Sequence, residues 1–172
     1  MTGAAMRDRA GVVAEQWRRE RPDIDPFPMV LVGRIVEAAH LIVRDRLTPF
    51  FAGHGLHYGE FDVLATLRRA GAPYRLTPTA LADTAMISSG GMTGRLDRLE
   101  KAGLIERQPH PADRRGVMVC LTPAGLALME KILEPHVTNE RDLLSPLEAE
   151  EQATLERLLA KLLAGWQGTE TP

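Results

Sequence analysis

Cysteine is almost missing from this chain of 172 residues: Cys120 stands alone. That excludes a disulfide framework and a cysteine-built zinc site, and it fits a reducing compartment. Aromatic residues are few, at 5%. No run of eighteen apolar residues occurs, so no membrane span is expected. Residues 1–9 carry two arginines and an aspartate with no apolar stretch behind them, so a secretory leader is not expected and the cytoplasm is. Also missing are a glycine-rich phosphate loop after a strand, a G-x-S-x-G elbow and a metal quartet, which argues against an enzyme and implies no cofactor. The five histidines (His40, His54, His57, His110, His136) show no close pairing with carboxylates or cysteine. Only His54 and His57 stand at i, i+3, and no metal site is expected from them.

What is present is 44% hydrophobic and 26% charged residues, enough for one globular domain with a core. The net charge of -2 hides an uneven distribution, and phosphate contacts need a local basic face, not a basic protein. Between Arg95 and Arg115 six basic residues face four acidic ones, whereas residues 140–156 are predominantly acidic.

Three sites pair a Ser or Thr N-cap with Pro at the first helical position: Thr77-Pro78, Thr122-Pro123 and Ser145-Pro146. The cap oxygen satisfies an orphan amide while proline gives up none that was needed, and Glu148 makes a capping box with Ser145. Upstream, Val32, Ile35, Val36, Ala39, Ile42, Val43 and Leu47 follow helical spacing, so residues 29–51 read as a long helix perturbed near Pro49. Phe61, Val63, Leu64 and Leu67 mark a short helix stopped by Gly71 and Pro73, and another runs from Pro78 to about Ala85. The next is capped by Ser88, buries Met92, Leu96 and Leu99 on one face and ends at Gly103. The period then turns strand-like: residues 104–107 and 117–121 form a hairpin around the charged tip 110–116. Helices follow over 123–139, with Pro135 kinking or shortening the first, and over 146–166, with Leu155, Leu158, Leu159, Leu162 and Leu163 as an apolar seam. Residues 12–23 read as a further short helix ended by Pro22.

A short helix, a tight connection, a second helix with small residues at its start and a basic-tipped hairpin have the layout of a winged helix-turn-helix. The expected fold is therefore mainly α with a small β-hairpin wing, a DNA-binding lobe plus a helical dimerisation region. A helix enters the major groove by its N-terminal end, where small or hydroxylated residues let the backbone approach DNA. Ser88, Ser89, Gly90, Thr93, Arg95 and Arg98 are candidate contacts there. Arg114 and Arg115 at the hairpin tip suit a narrow minor groove, with Asp113 orienting one of them. The expected partner is double-stranded DNA.

The segment 76–125 closely resembles the core of the MarR family of bacterial transcription regulators. It carries L-A-D-T-A-M-I-S-S-G-G-M-T-G-R, L-E-K-A-G-L-I-E-R, the D-R-R-G wing and L-T-P-A-G in family order. His57 departs from the Ser or Thr usual there, which weakens a helix cap. The resemblance implies a single domain over 1–172: a homodimer built from helices in 8–53 and 122–166, and a DNA-binding lobe at 59–121. It further implies a pseudo-palindromic operator released when a small anionic or aromatic effector binds. The helix at 12–23 resembles that of the urate-responsive subset, and the matching ligand-binding positions are Trp17, Asp62, Arg95 and Arg107. The indole would stack on a flat heterocycle, the guanidinium groups would pair with an anion, and Asp62 would repel the ligand or accept a hydrogen bond from it. A phenolic or aromatic-acid effector is the alternative, and a winged helix used only for protein contacts is the alternative of another class. Peroxide-sensing members carry a reactive cysteine early in the first long helix. Cys120 falls in a wing strand instead and reads as a small buried hydrophobe.

Overall fold

The computed structural model describes residues 8–86, 91–113 and 115–167. Among the described residues no helix is long and apolar enough to cross a membrane. The chain parts into two compact units, with the boundary between Tyr58 and Gly59, and each is taken by itself.

The first unit is helical. Helix α1 (Arg9–Glu20) starts earlier than the apolar pattern at 12–23 suggested, because the Asp8 side chain accepts from the Gly11 amide at 2.8 Å and caps it. Arg21 ends the helix, one residue ahead of Pro22. Ala10 and Ala14 pack against Val30 of helix α2 (Phe27–Leu41), small residues that bring the two helices close. Asp8 also ties them, since Arg34 of α2 donates to it through Nε at 2.7 Å and Nη2 at 3.1 Å. The expected long helix changes pitch ahead of Pro49. Residues Ile42–Leu47 form a π-helical turn that passes into the short helix α3 (Thr48–Ala52). Pro49 has no amide to close the ordinary bond and crowds the turn behind it. Widening by one residue lets the Thr48 amide reach the Val43 carbonyl.

The second unit begins with α4 (Tyr58–Arg69), buried over most of its circumference: Val63, Leu64 and Leu67 are fully enclosed, and so nearly are Glu60, Asp62 and Thr66. Helix α5 (Pro78–Thr84) is capped as expected, Thr77 accepting from the Ala80 amide. Helix α6 (Met92–Lys101) buries Met92, Leu96 and Leu99, each side chain contributing about 1.5–3 kcal/mol. Its described start differs from the expectation: Gly91 precedes it with a positive φ of 77°, and the proposed cap Ser88 lies outside the described residues. Its end follows expectation, since Gly103 takes a φ of 72° that residues with a Cβ avoid. The amides of Gly103 and Leu104 then close onto Glu100 and Leu99 carbonyls.

Strands β2 (Ile105–Pro109) and β3 (Val117–Leu121) form the hairpin, pairing Ile105 with Leu121 and Pro109 with Val117. A strand not expected from the sequence, β1 (Arg75–Leu76), pairs with the other edge of β3, giving the antiparallel order β1-β3-β2. The mainly α fold with a small sheet is as expected, with three strands rather than two.

Helix α7 (Pro123–Leu144) continues past Pro135 and ends five residues beyond Asn139, so the proline does not shorten it and the expected end at 139 is corrected. The buried Met129 and Ile132 hold the helix one turn ahead of the proline, where packing outweighs the cost of a missing bond. Its extension overturns the third start signal as well: Ser145 becomes the C-cap of α7, its hydroxyl donating to the Asp142 carbonyl. The last helix, α8 (Ala149–Gln167), begins later. A side-chain cap stands three residues later than expected, the Glu148 amide donating to the Glu151 carboxylate at 2.9 Å. The leucine seam of α8 stands exposed along its length, as does Trp166.

Two outcomes follow from these contacts. At the start of α7 a Cβ on Gly125 would lie 2.0 Å from the Leu104 carbonyl oxygen, so Gly125→Ala should cost about 1–3 kcal/mol or more in urea unfolding. In the first unit Arg34, and then the Gly11 amide, pull the Asp8 carboxyl down to about 2. A lowered folded pKa means that the tie adds stability above the ordinary carboxylate range and loses it as pH falls toward the folded value. With Trp166→Phe as background, Trp17 emission should hold steady to about pH 4 and shift only between there and about pH 2. Asp8→Asn should abolish that transition.

Candidate nucleic-acid interface

The helix-turn-helix is built from α5 and α6, with the fully buried Leu81 and the Met92, Leu96, Leu99 strip as its inner face. The outer face of α6 carries Thr93, exposed, Arg95, half-buried, and Arg98, whose side chain is 54% exposed. Ser88, Ser89 and Gly90, expected to approach DNA, lie outside the described residues, as does Arg114.

The hairpin tip is shaped by its own side chains. The His110 ring accepts at Nδ1 from the amides of Ala112 and Asp113, at 3.2 and 3.0 Å. Asp113 Oδ1 accepts from the Arg115 amide at 2.9 Å, so Asp113 positions the backbone of Arg115. The Gly116 amide closes onto the Asp113 carbonyl, and a Cβ on Gly116 would meet the His110 Cβ at 2.8 Å. The turn therefore presents Arg115 exposed from a tightly tied backbone.

Guanidinium–carboxylate pairs flank α6 on both sides. From β2, Arg107 reaches Asp97 through Nη2 at 2.7 Å and Glu100 through Nη1, while its backbone amide donates to the other Glu100 oxygen at 3.1 Å. Asp97, and then Glu100, hold the Arg107 guanidinium above its ordinary pKa. From α4, Glu60 accepts from Arg98 Nε at 2.6 Å. The sequence reading missed Glu60, Asp97 and Glu100. The signal was there: Glu60 opens a helix whose next residues are core, and Asp97 and Glu100 stand one turn apart on α6, three to four positions being the spacing of helix neighbours.

Of the four expected ligand-binding residues, Trp17 sits on α1 in the first unit, 40% exposed, and the other three belong to the second. Arg107 is engaged by the α6 carboxylates. Asp62 is buried and its Oδ2 accepts from the Met86 amide at 2.9 Å, just ahead of the connection into α6. A groove of about 960 Å³ runs between α1 and α2, lined by apolar residues including Val13, Val32 and Val36 with Arg9 and Arg44, and none of the four residues lines it. Cys120 is buried in β3 and burial pushes its thiol up, so it stays protonated. His54 Nδ1 bonds the Phe50 carbonyl at 2.9 Å. Among the described residues no cluster of His, Cys, Asp and Glu is arranged to hold a metal.

The geometry has counterparts. The MarR family model matches residues 54–116. The chain is 45% identical over 150 residues to the HTH-type transcriptional regulator PecS of Dickeya dadantii, covering 87% of this chain and 90% of that one. Among solved structures it resembles Sco3205, a MarR family transcriptional regulator from Streptomyces coelicolor in complex with DNA. The TM-score there is 0.74 at 27% identity, covering 83% of this chain and 89% of the other. It also resembles a mutant MarR from E. coli complexed with operator DNA, with a TM-score of 0.68 at 30% identity, over 86% and 97% of the two chains.

The Arg107 clamp can be tested directly. Arg107→Ala should lower thermal stability by about 1 kcal/mol or less, as befits a part-exposed ion pair. It should weaken DNA binding by more than that, because the wing loses its hold on α6. Equal losses in melting and in binding would contradict the clamp.

Proposed function

Because this chain belongs to the MarR family of transcription regulators, with a DNA-binding role rather than an enzymatic one, we propose that it is a homodimeric repressor released from a pseudo-palindromic operator by a small anionic ligand. The observation that carries the DNA part is the paired presentation of an exposed recognition face on α6 and an exposed Arg115 on a wing that Arg107 ties to that helix. The helix would lie in the major groove, its register set by phosphate contacts, with Arg115 in the flanking minor groove. Ser88, Ser89, Gly90, Thr93, Arg95, Arg98 and Arg114 complete the proposed DNA surface. A role on the chromosome places the protein in the cytoplasm.

Dimerisation is supported by apolar surface that a monomer leaves wet. Phe27, Leu31, Val32 and Val36 on α2, and Leu155, Leu158, Leu163 and Trp166 on α8, are each at least 40% exposed. Apolar side chains left exposed along a helix in this way, on each unit taken by itself, mark an interface. The sequence expectation that 8–53 and 122–166 dimerise around a 59–121 lobe is retained as part of the proposal.

The effector reading rests on what Asp62 and Arg107 already hold. Asp62 anchors the backbone entering the connection ahead of α6, and Arg107 anchors the wing to α6. An anion drawing Arg107 from its carboxylates, or displacing Asp62 from the Met86 amide, would loosen both DNA-reading elements at once. Arg95, half-buried on α6, would add a second guanidinium for a urate-like purine, and Trp17, expected from the sequence as a stacking residue, is retained in the proposal.

The test uses a fluorescent duplex that the wild-type chain has selected from a random library, followed by anisotropy. Arg115→Ala should weaken the complex by about 1–3 kcal/mol while light scattering still reports a dimer; unchanged affinity removes the wing from the interface. Titrated against urate, xanthine and salicylate, the wild-type complex should dissociate with urate, and Trp17→Phe should blunt that release without weakening DNA binding. Release by salicylate alone transfers the effector reading to aromatic acids, and a complex that ignores all three sinks the four-residue reading.

A further inference from the structure

Glu60 is a carboxylate that the DNA reading does not use. Its side chain is only 6% exposed, in the first turn of α4, and it accepts from Arg98 Nε at 2.6 Å. A buried carboxylate is costly to keep unless it is paired. Its partner is unusual in facing water: the Arg98 side chain is 54% exposed. The bond takes the inner nitrogen of the guanidinium and leaves the forked end outside it. That end is aimed, because Arg98 Nη1 lies 3.5 Å from where a Cβ on Gly94 would stand. The side chain therefore folds back one turn toward the N-terminus of α6, as helix side chains tend to, over a position that has no side chain to block it. The N-terminal end is the one a recognition helix brings to DNA.

We propose that Glu60 is a positioning residue, whose buried carboxylate grips Arg98 at Nε so that the Nη groups are presented, already oriented, to one backbone phosphate of bound DNA. The inference rests on the DNA-binding reading. The grip holds a long side chain in one rotamer before DNA arrives, so less freedom is lost when the phosphate docks. A phosphate contact made this way needs both residues and depends on salt.

The sign of the effect separates this role from plain electrostatics. If Glu60 were only a negative charge near DNA, Glu60→Gln would raise affinity. As a positioning residue, its loss lowers affinity about tenfold and makes the plot of log affinity against log salt shallower by about 0.9, the share of one phosphate. Arg98→Ala should do the same, and the double variant should lose no more than either single one, measured on the selected duplex with melting curves alongside. If Glu60→Gln does not fold, Arg98→Lys decides. A lysine keeps the charge but has one nitrogen in place of a fork, and should also lose affinity. Raised or unchanged affinity in a folded Glu60→Gln protein, an unchanged salt slope, additive losses, or a fully active Arg98→Lys overturns the proposal. A wild-type chain that selects no duplex overturns the DNA-binding reading itself.

Discussion

A helix of ten residues carrying three cationic and two acidic side chains cannot fix its own orientation, and everything proposed for this protein depends on how α6 (Met92–Lys101) is held. One face supplies adhesion, through Met92, Leu96 and Leu99, but an apolar strip of three residues leaves rotation and tilt loosely determined. Direction comes from guanidinium–carboxylate pairs on either flank: Arg107 from the wing onto Asp97 and Glu100, and Arg98 of α6 onto Glu60 of α4. Such pairs add little net stability in water, yet they are directional. Their value here is geometric: they set the angle at which the recognition face and the wing are offered together.

The same contacts are where the proposed effector would act. The base of the wing is tied to α7, where the Thr122 amide and hydroxyl donate to the carbonyls of Leu104 and Gly103, and Gly125 has no side chain because the backbone passes too close for one. The wing therefore cannot move freely at its root. Farther out, Arg107 holds it to α6 through Asp97 and Glu100. The proposed anionic effector would compete for that guanidinium, where ionic bonds hold the wing.

Much of this was legible in the chain, for identifiable reasons. Thr77-Pro78, Thr122-Pro123 and Gly103 declare helix boundaries by local chemistry alone, and the structure keeps all three. The Ser145-Pro146 signal was of the same quality and failed, because α7 carried on through Pro135 and used Ser145 as its end. The energy that kept α7 going comes from burial of Met129 and Ile132, which no local motif encodes. Strand β1 went unseen because two residues have no period, and only pairing with β3 makes them a strand. Among the candidate site residues, Thr93 and Arg115 could be named in advance from their chemistry, and the structure leaves both exposed. The pairing of Arg98 with Glu60 across 38 positions could not, since long-range partners are decided by the packing of α4 against α6.

The most direct test of the central claim is hydroxyl-radical footprinting of the protein on a duplex it has selected. Two chains presenting α6 and the wing in the fixed relation described should protect two half-sites whose centres are about 10 base pairs, or a multiple of that turn, apart. Each should be flanked by minor-groove protection from the wing. Protection spread evenly along the duplex, or confined to one groove without that spacing, would contradict the account.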